Sequence, residues 1–120
     1  MPNSGRILVV EDHADTSAAL YTILTERGYS VLTADNGQQA IDLLERGIRP
    51  GLILVDLLLP LVSGEDVLVY LNRHQDLRDI PTIVITAVPK EQVRVITNAV
   101  FSKPLDFVRL TRAIDALVTA

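Results

Sequence analysis

Residues 52–60 read Leu-Ile-Leu-Val-Asp-Leu-Leu-Leu-Pro, an apolar run that stops at a carboxylate. Four successive aliphatic residues without polar alternation are what a strand covered on both faces requires, and such strands belong to parallel sheets. Outward from this run, β-branched apolar stretches recur at Ile7–Val10, Val31–Ala34, Thr82–Thr86 and Val100–Ser102, so the reading is five strands. The stretches between them carry helical spacing. Leu20, Ile23 and Leu24 form one apolar stripe closed by Gly28, and Ala40, Ile41 and Leu44 form another closed by Gly47; each glycine suits the left-handed turn after a helix. Ser63, with Asp66 three residues on, is a cap for a helix whose stripe is Val67, Leu68 and Leu71. Phe107, Leu110, Ile114 and Leu117 give a last helix its inward face. Strands alternating with helices need crossover connections, which place helices on both faces of the sheet. The expected fold is therefore a three-layer α/β sandwich around a five-stranded parallel sheet.

Composition agrees with a single domain. The chain has 120 residues, 48% of them apolar and only 4% aromatic, and a chain of this length buries roughly two thirds of its unfolded surface. One domain is expected over residues 1–120, with its core over about 6–118. Eleven basic against fifteen acidic residues give a net charge of −4, and no Lys or Arg run is present, which argues against direct nucleic-acid binding or attachment to an anionic membrane surface. The absence of Cys excludes disulfides and thiolate metal sites. Apolar segments such as Leu57–Val62 are too short to span a bilayer, and the N-terminal residues lack the order of a signal peptide, so a cytoplasmic location is expected.

In open α/β sheets the functional crevice lies outside the carboxyl ends of the strands. Glu11 and Asp12 follow the first strand, Asp56 the third, Lys103 and Pro104 the fifth, and Thr86 ends the fourth. Three carboxylates gathered at one edge repel one another, and a bound cation resolves that conflict. Ligands that are all oxygen favour Mg²⁺ or Mn²⁺. A metal ion, a facing carboxylate, an ammonium and a hydroxyl make a site that can accept a phosphoryl group, with Asp56 as the nucleophile and an acyl phosphate as the product.

Glu11-Asp12, Asp56-Leu-Leu-Leu-Pro60 with Gly64, Thr86-Ala87 and Lys103-Pro104, in that order, closely resemble the receiver domain of two-component response regulators. The resemblance covers essentially the whole chain. It implies a flavodoxin-like fold with strand order 2-1-3-4-5, Asp56 as phosphoacceptor, Asp12 as a direct metal ligand, Glu11 as a ligand largely through water, and the Leu58 backbone carbonyl as a further ligand. Thr86 and Lys103 would contact the phosphoryl group. The implied donor is a phosphohistidine of a histidine kinase or phosphotransfer protein, and the implied output partner is a separate protein or a parent chain. Such a domain transfers a phosphoryl group to itself stoichiometrically and is not an enzyme with turnover.

Plainer readings stand beside these. Asp12 alone could equally cap a helix, and Thr86 could simply end a strand. Pro104 is read as starting the last helix, and Gly64 as relieving crowding at the third. His13 invites a metal or phosphorelay reading, but it follows two acids at a helix entrance and is read as exposed; His74 is read as a solvated helix end. Two departures from the family pattern bear on output. Sixteen residues separate Thr86 from Lys103, fewer than is usual, so the fourth helix must be short, displaced or irregular; Val93-Arg-Val-Ile-Thr97 is a poor helix former. Three residues before Lys103, where the family carries an aromatic, stands Val100, while Phe101 points to the opposite face. Because the shortened face is the usual dimer contact, a monomer is expected. The alternatives are an unphosphorylated pseudo-receiver and a haloacid-dehalogenase-like Mg²⁺-dependent phosphatase, which would need an acid where Leu58 stands. A flavodoxin-type phosphate binder is a third, and Glu11-Asp12-His13-Ala14-Asp15 would repel its ligand.

Overall fold

The computed structural model describes residues 5–119. Five strands, β1 (Arg6–Val10), β2 (Ser30–Ala34), β3 (Leu52–Asp56), β4 (Thr82–Thr86) and β5 (Ala99–Ser102), form one parallel sheet in the order β2-β1-β3-β4-β5. Helices α1 (Ala14–Glu26), α2 (Gly37–Glu45), α3 (Gly64–Arg73) and α4 (Phe107–Thr119) cover it. Every residue of β3 and β4 is buried, as the uninterrupted apolar runs require, whereas β2 and β5 at the edges are only partly covered.

Alternation along each strand divides the core into two layers. Leu8, Val10, Ile53, Val55 and Val84 face α2 and α3, packing on Ala40, Leu44, Val67, Leu68 and Leu71. Ile7, Val9, Leu52, Leu54, Ile83 and Ile85 face α1 and α4, packing on Leu20, Leu24, Leu110, Ile114 and Val118. Full burial of each large aliphatic side chain stabilises by about 1.5–3 kcal/mol, so this double layer is what fixes the strand ends in space. Among the described residues no helix is long and apolar enough to cross a membrane.

The helix boundaries follow local chemistry. Ser63 accepts the Asp66 N–H at the start of α3, and Asn36 accepts the Gln39 N–H at the start of α2. Gly28 and Gly47 take φ of +93° and +99° after α1 and α2, the left-handed closure read from their positions. One expectation needs correction: Pro104 does not start the last helix. It follows a cis peptide bond, and α4 begins at Phe107, where Asp106 Oδ1 accepts the N–H groups of Val108 and Arg109 at 3.1 and 3.2 Å. The carboxylate answers the orphan N–H groups of a first turn, which a proline ring cannot do.

The helix expected between β4 and β5 is reduced to one 3-10 turn at Lys90–Gln92. Residues 93–98 are irregular but tied down. Asn98 and Thr82 exchange two hydrogen bonds at 3.0 Å, and the Thr97 hydroxyl donates to the Thr82 carbonyl at 3.0 Å. Val93 and Val95 pack against the α2–α3 layer in place of a helix. β-Branched side chains that resist helix formation thus still cover apolar surface.

Candidate functional site

The carboxyl ends of β1 and β3 are adjacent in the sheet, and this alone brings Glu11 beside Asp56. Both are almost completely buried, at 1% and 2% exposure, which is costly for carboxylates without a compensating charge. Lys103 supplies it from the end of β5. Its Nζ lies 2.7 Å from Asp56 Oδ2, to which it donates a hydrogen bond, and 2.7 Å from Glu11 Oε1. Burial alone would lower the Lys103 pKa, but the hydrogen bonds and charges of Asp56 and Glu11 outweigh it and raise the ammonium above its ordinary value. Lys103 is therefore a fixed cation at neutral pH. Its backbone is held as well, since its N–H donates to the Thr86 carbonyl at 2.9 Å.

The loop after Asp56 is built around that carboxylate. The Leu58 N–H donates to Asp56 Oδ1 at 3.0 Å, and the Gly64 N–H to the Leu57 carbonyl at 3.1 Å. Gly64 is glycine for a steric reason: a Cβ there would stand 2.1 Å from the Asp56 carbonyl oxygen. Gly37, which the sequence reading passed over, is constrained in the same way by the Val62 carbonyl, also at 2.1 Å. Its N–H donates to that carbonyl, tying the first turn of α2 to the loop that follows Asp56. Leu61, at φ +66°, accepts the left-handed conformation that turns the loop back into α3.

Asp12 is exposed beside the buried pair and does not cap α1. The N-cap is His13, whose backbone N–H donates to Glu11 Oε2 at 3.0 Å. As read from the sequence, the His13 side chain is exposed, yet its Nδ1 lies 3.2 Å from Glu11 Oε2. Ligand atoms of Glu11, Asp12, His13 and Asp56 all lie within 4.8 Å of one another. Glu11 Oε1 is held by its ion pair with the Lys103 ammonium, and Glu11 Oε2 accepts the His13 backbone N–H. Three carboxylates offset by one ammonium, in an acidic cluster of this width, fit a small divalent cation. Thr86 is fully buried at the end of β4, and its hydroxyl accepts the Val88 N–H at 3.1 Å. Leu58, by contrast, is exposed.

The cleft is open to solvent on two sides of α1. A groove of about 830 Å³ reaches Glu11 and Asp12 between α1 and the loop after β2. A smaller one, about 310 Å³, reaches Lys103 between α1 and the segment leading into α4. The face near β5 matches the expected departure: Val100 lies against the α2–α3 layer, and Phe101 packs with the α1–α4 layer.

Both the sequence and the fold have counterparts among known proteins. The polar-differentiation response regulator DivK of Brucella anthropi is 35% identical over 121 residues, covering 97% of this chain and 96% of that protein. The signal receiver domain of a histidine kinase from Syntrophus aciditrophicus superposes with a TM-score of 0.88 at 31% identity, covering 97% of this chain and 91% of that one. The receiver domain of sensor histidine kinase PA1611 from Pseudomonas aeruginosa, solved with a magnesium ion coordinated in its active-site cleft, gives 0.87 at 26% identity, covering 96% and 98%. These relatives give no support to the phosphatase alternative. The family model for the response regulator receiver domain matches residues 7–115, and with it the chain belongs to that family of two-component signalling modules.

Proposed function

We propose that this receiver takes up a phosphoryl group on Asp56 with the help of a divalent cation, and that Lys103 is the residue around which the change is organised. The observation that carries this reading is the single ammonium 2.7 Å from both buried carboxylates, Asp56 and Glu11, at the open end of the sheet. Glu11, Asp12 and Asp56 would hold Mg²⁺, with the Leu58 carbonyl as a further ligand; Mn²⁺ has the same ligand preference. When bound, the cation neutralises the charge that gathers on the transferring group.

The remaining steps belong to the chain. Asp56 attacks the phosphorus of a phosphohistidine on a histidine kinase or phosphotransfer protein; the P–N bond breaks, the leaving imidazole keeps the electron pair and takes a proton, and an acyl phosphate forms. Lys103 is positioned to follow the charge from the carboxylate to the phosphoryl oxygens, and the Thr86 hydroxyl to leave Val88 for one of them. The domain then signals by conformational change, without turnover on an outside substrate. The output is atypical, because Val100 has no aromatic ring to swing and the segment after β4 holds one 3-10 turn where a helix is expected. The tie between the Val62 carbonyl and Gly37 offers another route from the Asp56 loop, into α2. We further propose a single receiver domain over residues 1–120, acting as a cytoplasmic monomer on a separate protein or within a parent chain.

Incubation with acetyl phosphate and Mg²⁺ followed by intact-mass spectrometry tests the reading. Wild-type protein gains one phosphoryl group and Asp56→Asn gains none; a wild-type chain that stays unmodified would establish the pseudo-receiver instead. Amide chemical shifts with and without beryllofluoride test the output. Changes reaching α2 are expected, and changes confined to residues 88–103 would contradict an atypical route.

A further inference from the structure

We propose that the Asn36–Gly37 peptide is a self-modification site, closed in this conformation and opened when the loop that follows Asp56 lifts off α2. Its product is a cyclic imide and then aspartate or isoaspartate at position 36. The inference stands apart from phosphoryl transfer, since it needs only the contact between that loop and α2. The chemistry starts from the sequence. An asparagine side-chain amide can be attacked by the backbone nitrogen of the next residue, and Asn36 is the one asparagine in the chain that glycine follows. Glycine has no Cβ to shield that nitrogen or to restrict its approach. In the step, the Gly37 nitrogen gives its proton to hydroxide and bonds to Asn36 Cγ; the Cγ–Nδ2 bond breaks, and ammonia leaves with a proton taken from water. Water then adds to either imide carbonyl and reopens the ring, as aspartate or as isoaspartate.

The structure holds each participating atom off that path. The Gly37 N–H donates to the Val62 carbonyl at 3.1 Å, so the proton that must leave is engaged in a hydrogen bond. Asn36 Oδ1 accepts the Gln39 N–H at 2.9 Å, and Gln39 Oε1 accepts the Asp35 N–H at 2.8 Å, which fixes the amide as a helix cap. Ring closure must also turn the Asn36 backbone out of its extended setting, φ −156° and ψ 172°. Gly37 cannot follow that turn while a Cβ on it would stand 2.1 Å from the Val62 oxygen, so the loop has to lift first. The loop is the side that yields: Leu61, immediately before Val62, is exposed and sits at φ +66°, a conformation disfavoured for leucine. Water reaches Asn36 through the groove beside α1, which it lines.

The two products differ in consequence. Aspartate still caps α2, because Asp and Asn serve alike at an N-cap. Isoaspartate routes the main chain through the side-chain carbons, which removes the cap and shifts the Gly37 N–H away from Val62. Each molecule so modified loses the tie between the loop and α2 permanently, and the modification accumulates in proportion to the time the loop spends open.

Two rates measured on the wild-type chain at mildly alkaline pH test this. One is conversion of Asn36, read by peptide mapping with isoaspartate methyltransferase labelling; the other is hydrogen exchange of the Gly37 amide, read by nuclear magnetic resonance. Both require the same N–H to leave the Val62 carbonyl. The native chain is expected to convert Asn36 about ten-fold or more slowly than the urea-unfolded chain, with conversion and Gly37 exchange rising together as urea is added below the unfolding transition. Both should also outpace what global unfolding allows, as set by the amides of buried β3 residues such as Leu54. Conversion in the native chain at the unfolded rate would overturn the proposal, and so would conversion that stays flat while Gly37 exchange quickens. Conversion no faster than the β3 amides permit would overturn the loop as its gate. Neither rate involves a phosphoryl donor or a cation, so the result leaves the assignment of Asp56 to its own test.

Discussion

Replacing Gly64 with alanine should disturb the cleft more than any exposed acidic substitution, and the structure gives the size of the effect. An added Cβ would stand 2.1 Å from the Asp56 carbonyl oxygen, 2.7 Å from Leu57 Cα and 2.8 Å from the Asp56 carbonyl carbon. All three are backbone atoms, so no side chain can swing aside. Relieving the overlap needs a displacement of roughly 1 Å between α3 and the end of β3. Two opposing terms follow. Alanine favours the helical conformation by about 0.5–1 kcal/mol over glycine. Overpacking against a fixed backbone costs about 1–3 kcal/mol, and the cost wins because β3 is buried along its whole length and cannot yield. A net loss of about 1–2 kcal/mol is expected, a sizeable share of a domain's stability. Urea unfolding followed by circular dichroism at matched protein concentration reads it directly. Because the displaced atoms belong to Asp56, the variant should also lose Mg²⁺ affinity under native conditions. Gly64→Ala with an unchanged urea midpoint and unchanged Mg²⁺ binding would refute the steric account.

Three further outcomes follow from the same geometry. Lys103→Met strips the compensating charge from Glu11 and Asp56, a loss of about 3–5 kcal/mol for a buried pair, so calorimetry should show a metal-free protein of lowered Tm that Mg²⁺ rescues by more than it stabilises wild type; equal Mg²⁺ shifts would contradict this. Asp106→Ala should cost about 1 kcal/mol in urea unfolding through loss of the α4 cap, whereas Asp106→Asn should be nearly neutral. Burial, followed by the hydrogen bond to Asp115, raises the Tyr29 pKa from 10.0 to about 12. A raised pKa means the folded state holds its proton more tightly, so this contribution to stability is complete below pH 10 and is lost as pH rises towards 12. Ultraviolet titration of wild type against Tyr29→Phe should remove the tyrosinate absorbance that appears last.

The uninterrupted apolar runs at Ile7–Val10 and Leu52–Val55 made the parallel sheet legible, because burial on both faces leaves no room for polar alternation. The gathering of Glu11, Asp56 and Lys103 was legible for the same topological reason, since strand ends share an edge whatever lies between them. Val93–Thr97 announced the missing helix through its β-branched side chains, but not its anchorage. The bonds from Thr97 and Asn98 to Thr82 span fifteen or sixteen residues and carry no local signature. The contact between Gly37 and Val62 escaped for a similar reason: an Asn-Gly pair reads as a turn, and only the tertiary fold brings a carbonyl against it. Pro104 misled because proline favours the first turn of a helix in general, while here Asp106 supplies the acceptor that ends the search for a start. His13 was read as exposed, which it is, but only the turn of the chain into α1 folds its ring back over Glu11.

The central claim is that Asp56 accepts the phosphoryl group, and its most direct test is to locate the modification. Protein treated with acetyl phosphate and Mg²⁺, reduced with borohydride and mapped by peptide mass spectrometry converts an aspartyl phosphate into homoserine at the modified position. The account predicts homoserine at position 56 alone, lost when Mg²⁺ is withheld. Homoserine at position 12 instead, or at no position while Mg²⁺ is bound, would contradict it.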